Sequence, residues 1–388
     1  SRLCHTARAL PEDSPMKILY TNFHYGDGGG HTTYIVSLAR ALHGQHTLHV
    51  AAPADSRLLR TVAEEGIATA VPMAFGSGLP TLPQQLAEQR ALRRLVRDEG
   101  IDLIHVNGAR DHRFVMQGLL GMRHPPIVLT KHNSKPTATF GNALRARWAT
   151  DRVIAVSADT KRLLQQGPYR RCPIDVVRNG VDLERYSPLP SGSGHALRQQ
   201  WTQDPQALVL VSNAGTDDYK GWIDLGQAIA RLPDAIRPHV HMAVAGHLPS
   251  PQQREQVQAL GEVAAQVHFT GLLADTRVLI AAGDVGFVLS HDVETISFAC
   301  REMMASAKPM LVSDYAGLPE NIEQGVDGWV VATRNIDAIA AQLQALYEQR
   351  DTLAEHGRAA RRHAEREFGL QTFADATLAS YRAALAGT

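Results

Sequence analysis

The sequence has little cysteine, no excess charge of either sign and no long hydrophobic run. Its three cysteines, Cys4, Cys172 and Cys300, show no paired spacing, which argues against a disulfide framework or a zinc site and favours a reducing compartment. Lys and Arg together number 39, as do Asp and Glu, so no global field attracts nucleic acid or an anionic membrane. No apolar stretch approaches the roughly 18 residues that a membrane-spanning helix needs. We therefore expect a cytoplasmic protein without a nucleic-acid partner.

We do not expect the N-terminal residues to form a secretory signal. Residues 1–15 contain no apolar segment of the kind found in secretory signals. The next residues, Met16-Lys-Ile-Leu-Tyr20, form an apolar run, and Met16 has the position of a natural start. We expect residues 1–15 to be a disordered extension and the folded protein to begin at Met16.

What the sequence does contain is the composition of a globular protein with alternating strands and helices. A length of 388 residues, 44% hydrophobic and 20% charged, suits two domains of ordinary size. Short apolar runs separated by helical patterns predict parallel sheets with right-handed crossovers. The predicted strands of the first series are Lys17–Thr21, His46–Ala51, Ile101–Val106, Ile127–Thr130 and Val153–Val156. Those of the second series are Ala207–Val211, His241–Ala245, Val267–Phe269, Val285–Leu289 and Met310–Val312.

A segment rich in Pro, Gly and Ser, Ser187–Gly194, separates the two series and is predicted to be a hinge. The first domain would then span residues 16–188 and the second residues 189–370. Three helical segments remain after Asn335, and the last of them covers residues 371–386. Two α/β domains joined in this way place a cleft between the C-terminal edges of their strands, where such sheets bind ligands.

A glycine cluster, Gly26-Asp-Gly-Gly-Gly30, lies between the first strand and an amphipathic helical run. Glycines at such a place let a loop approach a bound group closely, while the start of the next helix attracts an anion. The cluster does not have the G-x-G-x-x-G spacing of dinucleotide-binding loops, and it lacks the Lys-Ser/Thr of a P-loop. Two interpretations of the cluster remain open. One is a loop that contacts an acceptor or a phosphate, and the other is a tight turn with positive φ angles.

The most informative stretch runs from Asp292 to Ala305 and carries two glutamates eight positions apart, Glu294 and Glu302. It follows a buried-strand pattern and leads into a predicted helix. The start of a helix binds phosphate, because free N–H groups and the positive end of the dipole converge there. Glu294 would lie beside that phosphate and bind sugar hydroxyls, and Glu302 would reach a ribose. A surface helix with two solvated glutamates is the alternative. The amides predicted to bind phosphate are those of Ile296, Ser297 and Phe298.

Polar residues also follow two predicted strands of the first series, at the strand ends that line a cleft. Lys131 and His132 come at the end of one strand. The segment Asn107–Arg113, which contains Asn107, Arg110 and His112, follows the strand before it and predicts an acceptor-binding loop. A solvated polar loop is the alternative for this second segment.

These features occur in an order that resembles one family. The order of elements around Glu294 and Glu302 is a strand, a Glu, seven residues, a second Glu and a helix. This order is similar to the donor-sugar motif of retaining glycosyltransferases of family 4, which have the GT-B fold. The family usually shows G-R-L-x-x-x-K-G after the first strand of its second domain. Here Lys220-Gly221 fits, but Asn213 stands at the arginine position. Only one cation, Lys220, is then left for the donor diphosphate. Arg301 and Lys131 are candidates to replace the arginine. The resemblance covers Met16 to about Leu385. The segments that carry it are Gly28–Thr33 (Gly-Gly-Gly-His-Thr-Thr), Asn179–Pro188, Ser212–Gly221, Asp292–Ala305, Ser313–Glu320 and Gln324–Val331.

The resemblance implies an α/β fold with two Rossmann-like domains facing across a cleft (GT-B), and a last helix that completes the first domain. It also implies a role for each candidate residue. The implied catalytic residues are Glu294, His132 and Lys220, with His132 near the C6 hydroxyl of the donor sugar. The implied donor-binding residues are Gly29, Gly30, Asn213, Lys220, Ile296, Ser297, Phe298 and Glu302. The implied acceptor-binding residues are His31, Asn107, Arg110 and Lys131.

The implied activity is transfer of a hexose-type sugar, with retention, from a nucleotide diphosphate sugar, a UDP-sugar being favoured. The implied acceptor is a glycan or glycolipid in the synthesis of cell-surface polysaccharide or lipopolysaccharide, and peripheral contact with the inner membrane is left open. Because no Asp-x-Asp follows a strand, we expect no metal, and no cofactor besides the nucleotide sugar. A nucleotide-sugar 2-epimerase and a catalytically impaired sugar-nucleotide-binding protein are the alternatives. A phosphorylase would need a lysine-bound cofactor and a much longer chain.

Overall fold

A computed structural model of the protein describes residues 14–25 and 30–387. The predicted disordered extension lies outside the described residues except for its last two, and so does most of the glycine cluster, including Gly29. The chain divides into two compact α/β units. The first unit extends to Gly180 and includes the segment from Leu370 onward, and the second unit comprises Val181–Gly369.

In the first unit, the described residues form a parallel sheet of seven strands in the order β3-β2-β1-β4-β5-β6-β7. The central strands are buried on both faces, which explains why they are continuous apolar runs in the sequence. The strands are β1 (Lys17–Thr21), β2 (Thr47–Ala52), β3 (Thr69–Pro72), β4 (Leu103–Val106), β5 (Ile127–Lys131), β6 (Arg152–Ala155) and β7 (Ile174–Val176). The α-helices are α1 (Gly30–Leu42), α2 (Arg57–Glu65), α3 (Leu82–Asp98), α4 (Ala109–Gly118), α5 (Phe140–Trp148), α6 (Ala158–Gln165) and the C-terminal helix (Leu370–Ala386).

The second unit contains a parallel sheet of six strands in the order β10-β9-β8-β11-β12-β13. The strands are β8 (Leu208–Ser212), β9 (Val240–Ala245), β10 (Val267–Gly271), β11 (Val285–Val288), β12 (Met310–Ser313) and β13 (Gly328–Val331). The α-helices are α7 (His195–Arg198), α8 (Trp222–Ala230), α9 (Pro251–Gln258), α10 (Arg277–Ala282), α11 (Phe298–Ala305), α12 (Ile336–Glu348) and α13 (Leu353–Glu367). Two parallel sheets with helical crossovers confirm the predicted α/β fold class with two Rossmann-like domains.

The unit boundary differs from the sequence-based prediction. The chain passes between units at Gly180, whereas we predicted residue 188 and a flexible hinge at Ser187–Gly194. That segment instead packs on the second unit: a Cβ at Gly194 would lie 2.2 Å from the backbone nitrogen of Ala282. Just before the segment, Ser306 Oγ donates a hydrogen bond to the carbonyl of Tyr186 at 3.2 Å. Proline, glycine and serine here make a largely exposed surface turn that is anchored to the second unit at its two ends.

The C-terminal helix is part of the first unit, where it packs along α1. Tyr381 OH lies 2.5 Å from His105 Nδ1 on β4 and donates to Tyr20 OH on β1 at 3.3 Å. The ring of Phe373 meets the edge of Tyr34 at a centroid distance of 5.0 Å. This helix therefore completes the buried core of a domain whose other elements all precede residue 181. No helix among the described residues has both the length and the apolar character needed to cross a membrane.

Candidate functional site

The strand order reverses in each sheet between two neighbouring strands, β1 and β4 in the first unit and β8 and β11 in the second. The loops after such strands run to opposite sides and leave a crevice at the carboxyl ends, where sheets of this kind bind ligands. Asn107 follows β4, Asn213 follows β8 and Glu294 follows β11. Each unit thus gathers predicted site residues at the switch point of its own sheet.

The turn that carries Lys220 is pressed against the end of β11. Gly221 has φ of 74°, and a Cβ at this position would lie only 2.1 Å from the carbonyl oxygen of Leu289. The amide of His291 also donates to the carbonyl of Tyr219 at 2.9 Å. Glycine is required here both for the left-handed backbone and for the close approach. The Lys-Gly pair found in the sequence therefore brings Lys220 to the loop after β11.

Lys220 and Glu294 form an ion pair at this point. Lys220 Nζ lies 2.8 Å from Glu294 Oε2, and the two side chains are 14% and 11% exposed. Burial by itself would lower the pKa of Lys220, but the charge and hydrogen bond of Glu294, together with smaller contributions from Tyr219 and Asp217, outweigh burial and the net change is upward. The lysine therefore remains a cation, and the structure brings together two of the three predicted catalytic residues.

Helix α11 starts beside this ion pair. Ser297 has φ of 54° and caps the helix, its hydroxyl accepting a hydrogen bond from the amide of Cys300 at 3.4 Å. The backbone N–H groups of the first turn have no partner within the helix, which makes this end favourable for an anion. Val293, with φ of 61°, turns the chain ahead of it. The predicted amides of Ile296, Ser297 and Phe298 thus lie at a true helix start.

Glu302, one turn into α11, is held by two side chains from outside the helix. Asn213 Nδ2 donates to Glu302 Oε2 at 2.6 Å, and Tyr186 forms a second side-chain hydrogen bond with it. Burial raises the pKa of Glu302, and the hydrogen bonds with Tyr186 and Asn213 oppose that rise. Asn213, which stands where the family has arginine, is thus joined to the predicted ribose-binding glutamate.

Arg301, one of the two candidates to replace the arginine, is engaged in the core instead. Its side chain is fully buried, Nε donates to Asn321 Oδ1 at 2.8 Å, and the guanidinium lies 4.2 Å from the ring centroid of Phe368. Adjacent residues on a helix point about 100° apart, so Arg301 faces the core when Glu302 faces the crevice. Lys220 therefore remains the cation that this unit supplies from the predicted set.

In the first unit, His132 belongs to a row of neighbouring rings that are tilted against one another. Ring centroids are 4.0 Å apart between Phe23 and His24, 4.3 Å between His24 and His31, and 4.4 Å between His31 and His132. Tyr34 meets His132 edge-on at 4.6 Å. Burial lowers the pKa of His31 to about 4 and that of His132 well below its usual value, and the neighbouring rings add to the effect. These imidazoles are therefore neutral at physiological pH.

Asn107, predicted to contact an acceptor, turns its side chain inward. It is 1% exposed, and its amide oxygen lies 2.9 Å from His132 Nε2. Its amide nitrogen donates to the carbonyls of Thr21 and His105, each at 3.3 Å. These bonds engage both ends of the amide, so the side chain acts on His132 and the sheet edge instead of on a bound acceptor.

The other predicted acceptor residues lie around the same crevice. His31 is the second residue of α1, directly after Gly30, which was predicted to bind the donor. The guanidinium of Arg110 lies 5.0 Å from the ring centroid of Phe23. Lys131 Nζ donates to Asn133 Oδ1 at 2.5 Å. Burial lowers the pKa of Lys131 to about 8, with smaller contributions from the nearby cations Lys135 and Arg145.

Two buried residues were not assigned correctly from the sequence. His112 belonged to the predicted acceptor loop, but it lies inside α4 and its Nε2 is 2.8 Å from the carbonyl of Ala149 in the core. Asp111 was given no role, yet its Oδ2 accepts from Thr21 Oγ1 at 2.7 Å and from the amides of Asn107 at 3.0 Å and Gly108 at 3.3 Å. Burial raises the pKa of Asp111 to about 7. An Asp three residues after Gly108 at a helix start was the signal for this capping role.

Two family models match this chain, one in each unit. The model of Glycosyltransferase Family 4 matches residues 28–185. The model of Glycosyl transferases group 1 matches residues 205–349. The two matches follow the division of the fold into two units.

Curated proteins and solved structures agree with these models. A D-inositol 3-phosphate glycosyltransferase from Geodermatophilus obscurus is 31% identical over 60% of this chain and 53% of that protein, so the chain spans about half the length of this relative. An alpha-maltose-1-phosphate synthase from Mycobacterium tuberculosis is 27% identical over 66% of this chain and 73% of that protein. The crystal structure of Anabaena HepE in complex with UDP matches with a TM-score of 0.79 and 22% identity, over 93% of this chain and 98% of that one. The same Anabaena protein has also been solved with UDP-glucose.

The structural likeness shows a shared fold, and the family models place glycosyltransferase domains on both of its halves. The sequence resemblance to family 4 thus agrees with an independent match to the first unit. The chain thus carries a match to a Glycosyltransferase Family 4 domain followed by a match to a Glycosyl transferases group 1 domain.

Proposed function

We propose that the protein is a retaining glycosyltransferase that moves a hexose-type sugar from a UDP-sugar to a hydroxyl of a glycan or glycolipid acceptor. The observation that carries the proposal is the ion pair of Lys220 and Glu294, 2.8 Å long, beside the start of α11. A nucleoside diphosphate needs a cation and aligned N–H donors, and the sugar attached to it needs hydrogen-bond acceptors nearby. The second unit offers all three within one loop cluster.

Donor binding would divide the ion pair between two ligand groups. The diphosphate competes with Glu294 for Lys220, and the start of α11 holds its other oxygens. Glu294, freed from the lysine, accepts hydrogen bonds from sugar hydroxyls. Glu302 binds the ribose through its remaining acceptor capacity while Asn213 and Tyr186 hold it in place. UDP is the favoured nucleotide because the fold is shared with a protein solved with UDP and UDP-glucose.

The reaction we propose is attack on the same face as the leaving group. The acceptor oxygen forms a bond to the anomeric carbon while the bond between that carbon and the diphosphate oxygen breaks. The acceptor proton passes to the leaving phosphate oxygen, which acts as the base. Lys220 and the α11 amides stabilise the charge that develops on this phosphate, and His132 contacts the sugar at its C6 hydroxyl. Because these groups neutralise the leaving diphosphate, the reaction proceeds without a metal ion.

The acceptor is the part of the proposal with two chemical candidates. A glycan or glycolipid fits the general resemblance to surface-polysaccharide enzymes. The names of the two relatives described above instead concern an inositol phosphate and a maltose phosphate. One observation favours a phosphorylated acceptor here as well: the positive charges of Lys135 and Arg145 act on the half-buried Lys131, close to the predicted acceptor residues. A small phosphorylated polyol or sugar is therefore the second candidate acceptor.

The test is a panel of UDP-, GDP- and ADP-linked hexoses, incubated with the protein in excess EDTA and followed by release of nucleoside diphosphate. We expect slow release from a UDP-hexose without acceptor and faster release when the correct acceptor class is added. Lys220→Ala should lower the rate strongly, whereas Lys161→Ala on α6, a control of the same chemistry, should not. Isomerisation at C2 without transfer would identify an epimerase, and binding of UDP without any turnover would identify an impaired binding protein. Activity that is lost in EDTA and restored by Mg²⁺ or Mn²⁺ would contradict the metal-free mechanism.

A further inference from the structure

His132 is held by an amide whose direction is determined by its other contacts. Asn107 Nδ2 lies 3.3 Å from the carbonyl oxygens of both Thr21 and His105. Carbonyl oxygens only accept hydrogen bonds, so the nitrogen end of the amide must face them. The oxygen end then faces His132 Nε2 at 2.9 Å. Because an amide oxygen only accepts, Nε2 must be the ring nitrogen that donates.

We propose that Asn107 is a positioning residue that keeps His132 in the tautomer with its proton on Nε2. The value of this tautomer for sugar transfer rests on the proposed function, since that function gives His132 its contact with the donor sugar. The tautomer itself is a property of the protein alone and can be measured without any substrate.

Asn107 is anchored at its backbone as well as at its side chain. Asp111 Oδ2 accepts from the amide of Asn107 at 3.0 Å and from that of Gly108 at 3.3 Å. A Cβ at Gly108 would lie 2.6 Å from Asp111 Oδ1, so the backbone passes directly over this carboxyl group. The loop after β4 is thus fixed by a buried carboxyl group, and the amide cannot rotate without losing hydrogen bonds at both ends.

The surroundings of His132 keep its ring neutral. Burial is the largest influence, and nearby positive or potentially positive groups add to it. In a neutral ring, the tautomer decides which nitrogen donates a hydrogen bond and which accepts one. A neutral imidazole protonated at Nε2 carries its lone pair on Nδ1, so any group that meets Nδ1 must donate a hydrogen bond. The titratable groups that face His132 from the elements around it are His24, His31, Tyr34, His105 and Lys131.

This arrangement deepens the proposed function by defining the donor sugar. A hydroxyl can donate to Nδ1, whereas a carboxylate cannot and would face a lone pair. With His132 at the C6 position, the site should accept a hexose with a free C6 hydroxyl and reject the corresponding uronate. Asn107 would therefore determine specificity for the sugar without touching it.

The first experiment measures the tautomer directly. Protein labelled with ¹⁵N-histidine is studied at neutral pH by long-range ¹H–¹⁵N correlation, and the signals of His132 are assigned with the His132→Gln variant. We expect a protonated Nε2 and an unprotonated Nδ1. A proton on Nδ1, or an equal mixture of the two tautomers, would overturn the proposal whether or not the protein transfers sugar.

The second experiment changes the amide. Asn107→Leu removes the acceptor and should give His132 a mixture of tautomers, with kcat reduced by about 100-fold, the scale expected when a positioned group is displaced. Affinity for UDP should stay unchanged, because the second unit binds UDP. Asn107→Asp keeps the shape and an acceptor but adds a negative charge, so the pKa of His132 should rise by about one unit or more. Asn335→Asp, at the N-cap of α12, is the matched control, since Asn and Asp cap helices equally well.

The outcomes separate this proposal from the proposed function. The Nε2 tautomer in a protein that turns over no nucleotide sugar would leave the positioning role standing and refute the transferase mechanism. A transferase in which both Asn107 variants keep the wild-type ¹⁵N pattern, kcat and discrimination between hexose and uronate would refute the positioning role. Should Asn107→Leu fail to fold, the titration of His132 in Asn107→Asp decides, since no upward shift would contradict the contact.

Discussion

At the scale of single residues, Glu294 and Glu302 are held by different partners, so substituting each of them should impair a different property of the protein. Glu294 pairs with Lys220, and Glu302 bonds with Asn213 and Tyr186. We expect Glu302→Ala to weaken nucleotide binding and Glu294→Ala chiefly to lower turnover, each measured by calorimetric titration with UDP and by steady-state kinetics. A wild-type kcat for Glu294→Ala with any active donor would show that Glu294 has been assigned wrongly.

Asn213 should act on the nucleoside end of the donor because it contacts Glu302. A hydrogen bond to a charged group contributes about 1.5–3 kcal/mol, so its loss should weaken binding roughly tenfold or more. We expect Asn213→Ala to reduce the affinities for uridine, UMP and UDP by a similar factor. Lys220→Ala, the comparison variant, should reduce the affinity for UDP much more than that for uridine.

Titration of the three nucleotides decides between this role and direct contact with phosphate. If Asn213→Ala weakened UDP alone, the asparagine would serve the diphosphate in place of the family's arginine. Equal losses of affinity for uridine, UMP and UDP would show that the second unit binds the diphosphate with one cation and that the asparagine orients a carboxylate.

Residue spacing predicted some of these contacts and missed others for a physical reason. Local pattern placed Glu294 just before a helix and Glu302 inside it, because both depend on a few neighbouring residues. The ion pair with Lys220 joins residues 74 positions apart and requires β8 to lie next to β11, which spacing does not reveal. The inward turn of Asn107 likewise depends on Thr21 and His105, on two neighbouring strands.

At the scale of elements, the turn before α8 should be sensitive to one methyl group. An alanine at Gly221 would have to adopt a left-handed backbone conformation, and its Cβ would lie 2.1 Å from the carbonyl oxygen of Leu289. The left-handed conformation alone costs about 1–2 kcal/mol, and forcing atoms into a packed site adds about 1–3 kcal/mol. We expect Gly221→Ala to lower the free energy of unfolding by their sum and to weaken UDP binding, because Lys220 moves.

Gly261 supplies the matched control for this prediction. It has φ of 65°, and a Cβ there would meet nothing within 4 Å. Denaturant titration of Gly261→Ala should therefore show the backbone cost alone, with unchanged UDP affinity. If both variants lost equal stability and kept UDP affinity, the close approach at Leu289 would have no role in placing Lys220.

The predicted central strands are confirmed, whereas three edge strands were not predicted. β3, β7 and β13 have only three or four residues, and β3 and β7 are half-buried or exposed along their length. β3 and β7 each have one neighbour and need no continuous apolar run, so their sequences look like loops, whereas β13 is largely buried and lies inside the segment Gln324–Val331, which contributes only to the family resemblance. Periodicity detects strands buried on both faces, and the edges are defined by pairing that only the folded sheet shows.

At the scale of the whole molecule, the C-terminal helix should be needed for transfer but not for nucleotide binding. It reaches His132 through two contacts, since Phe373 packs on Tyr34 and Tyr34 packs on His132. Deleting residues from Leu370 onward should therefore disturb the first unit and abolish transfer. The second unit ends at Gly369 and should still bind UDP in a calorimetric titration. Transfer at the wild-type rate by the truncated chain would contradict this dependence.

The return of the chain to its first unit also has a consequence for synthesis on the ribosome. Residues 181–369 form a complete unit, whereas the earlier unit lacks one of the two side-chain partners of its buried His105 until Tyr381 has been made. At roughly 5–20 residues per second, translation of the intervening 189 residues (369 − 181 + 1) takes roughly 10–40 s. During this interval the nascent N-terminal half exposes the apolar groove that the last helix will fill, so the half made first is the last to mature and the one that most needs a chaperone.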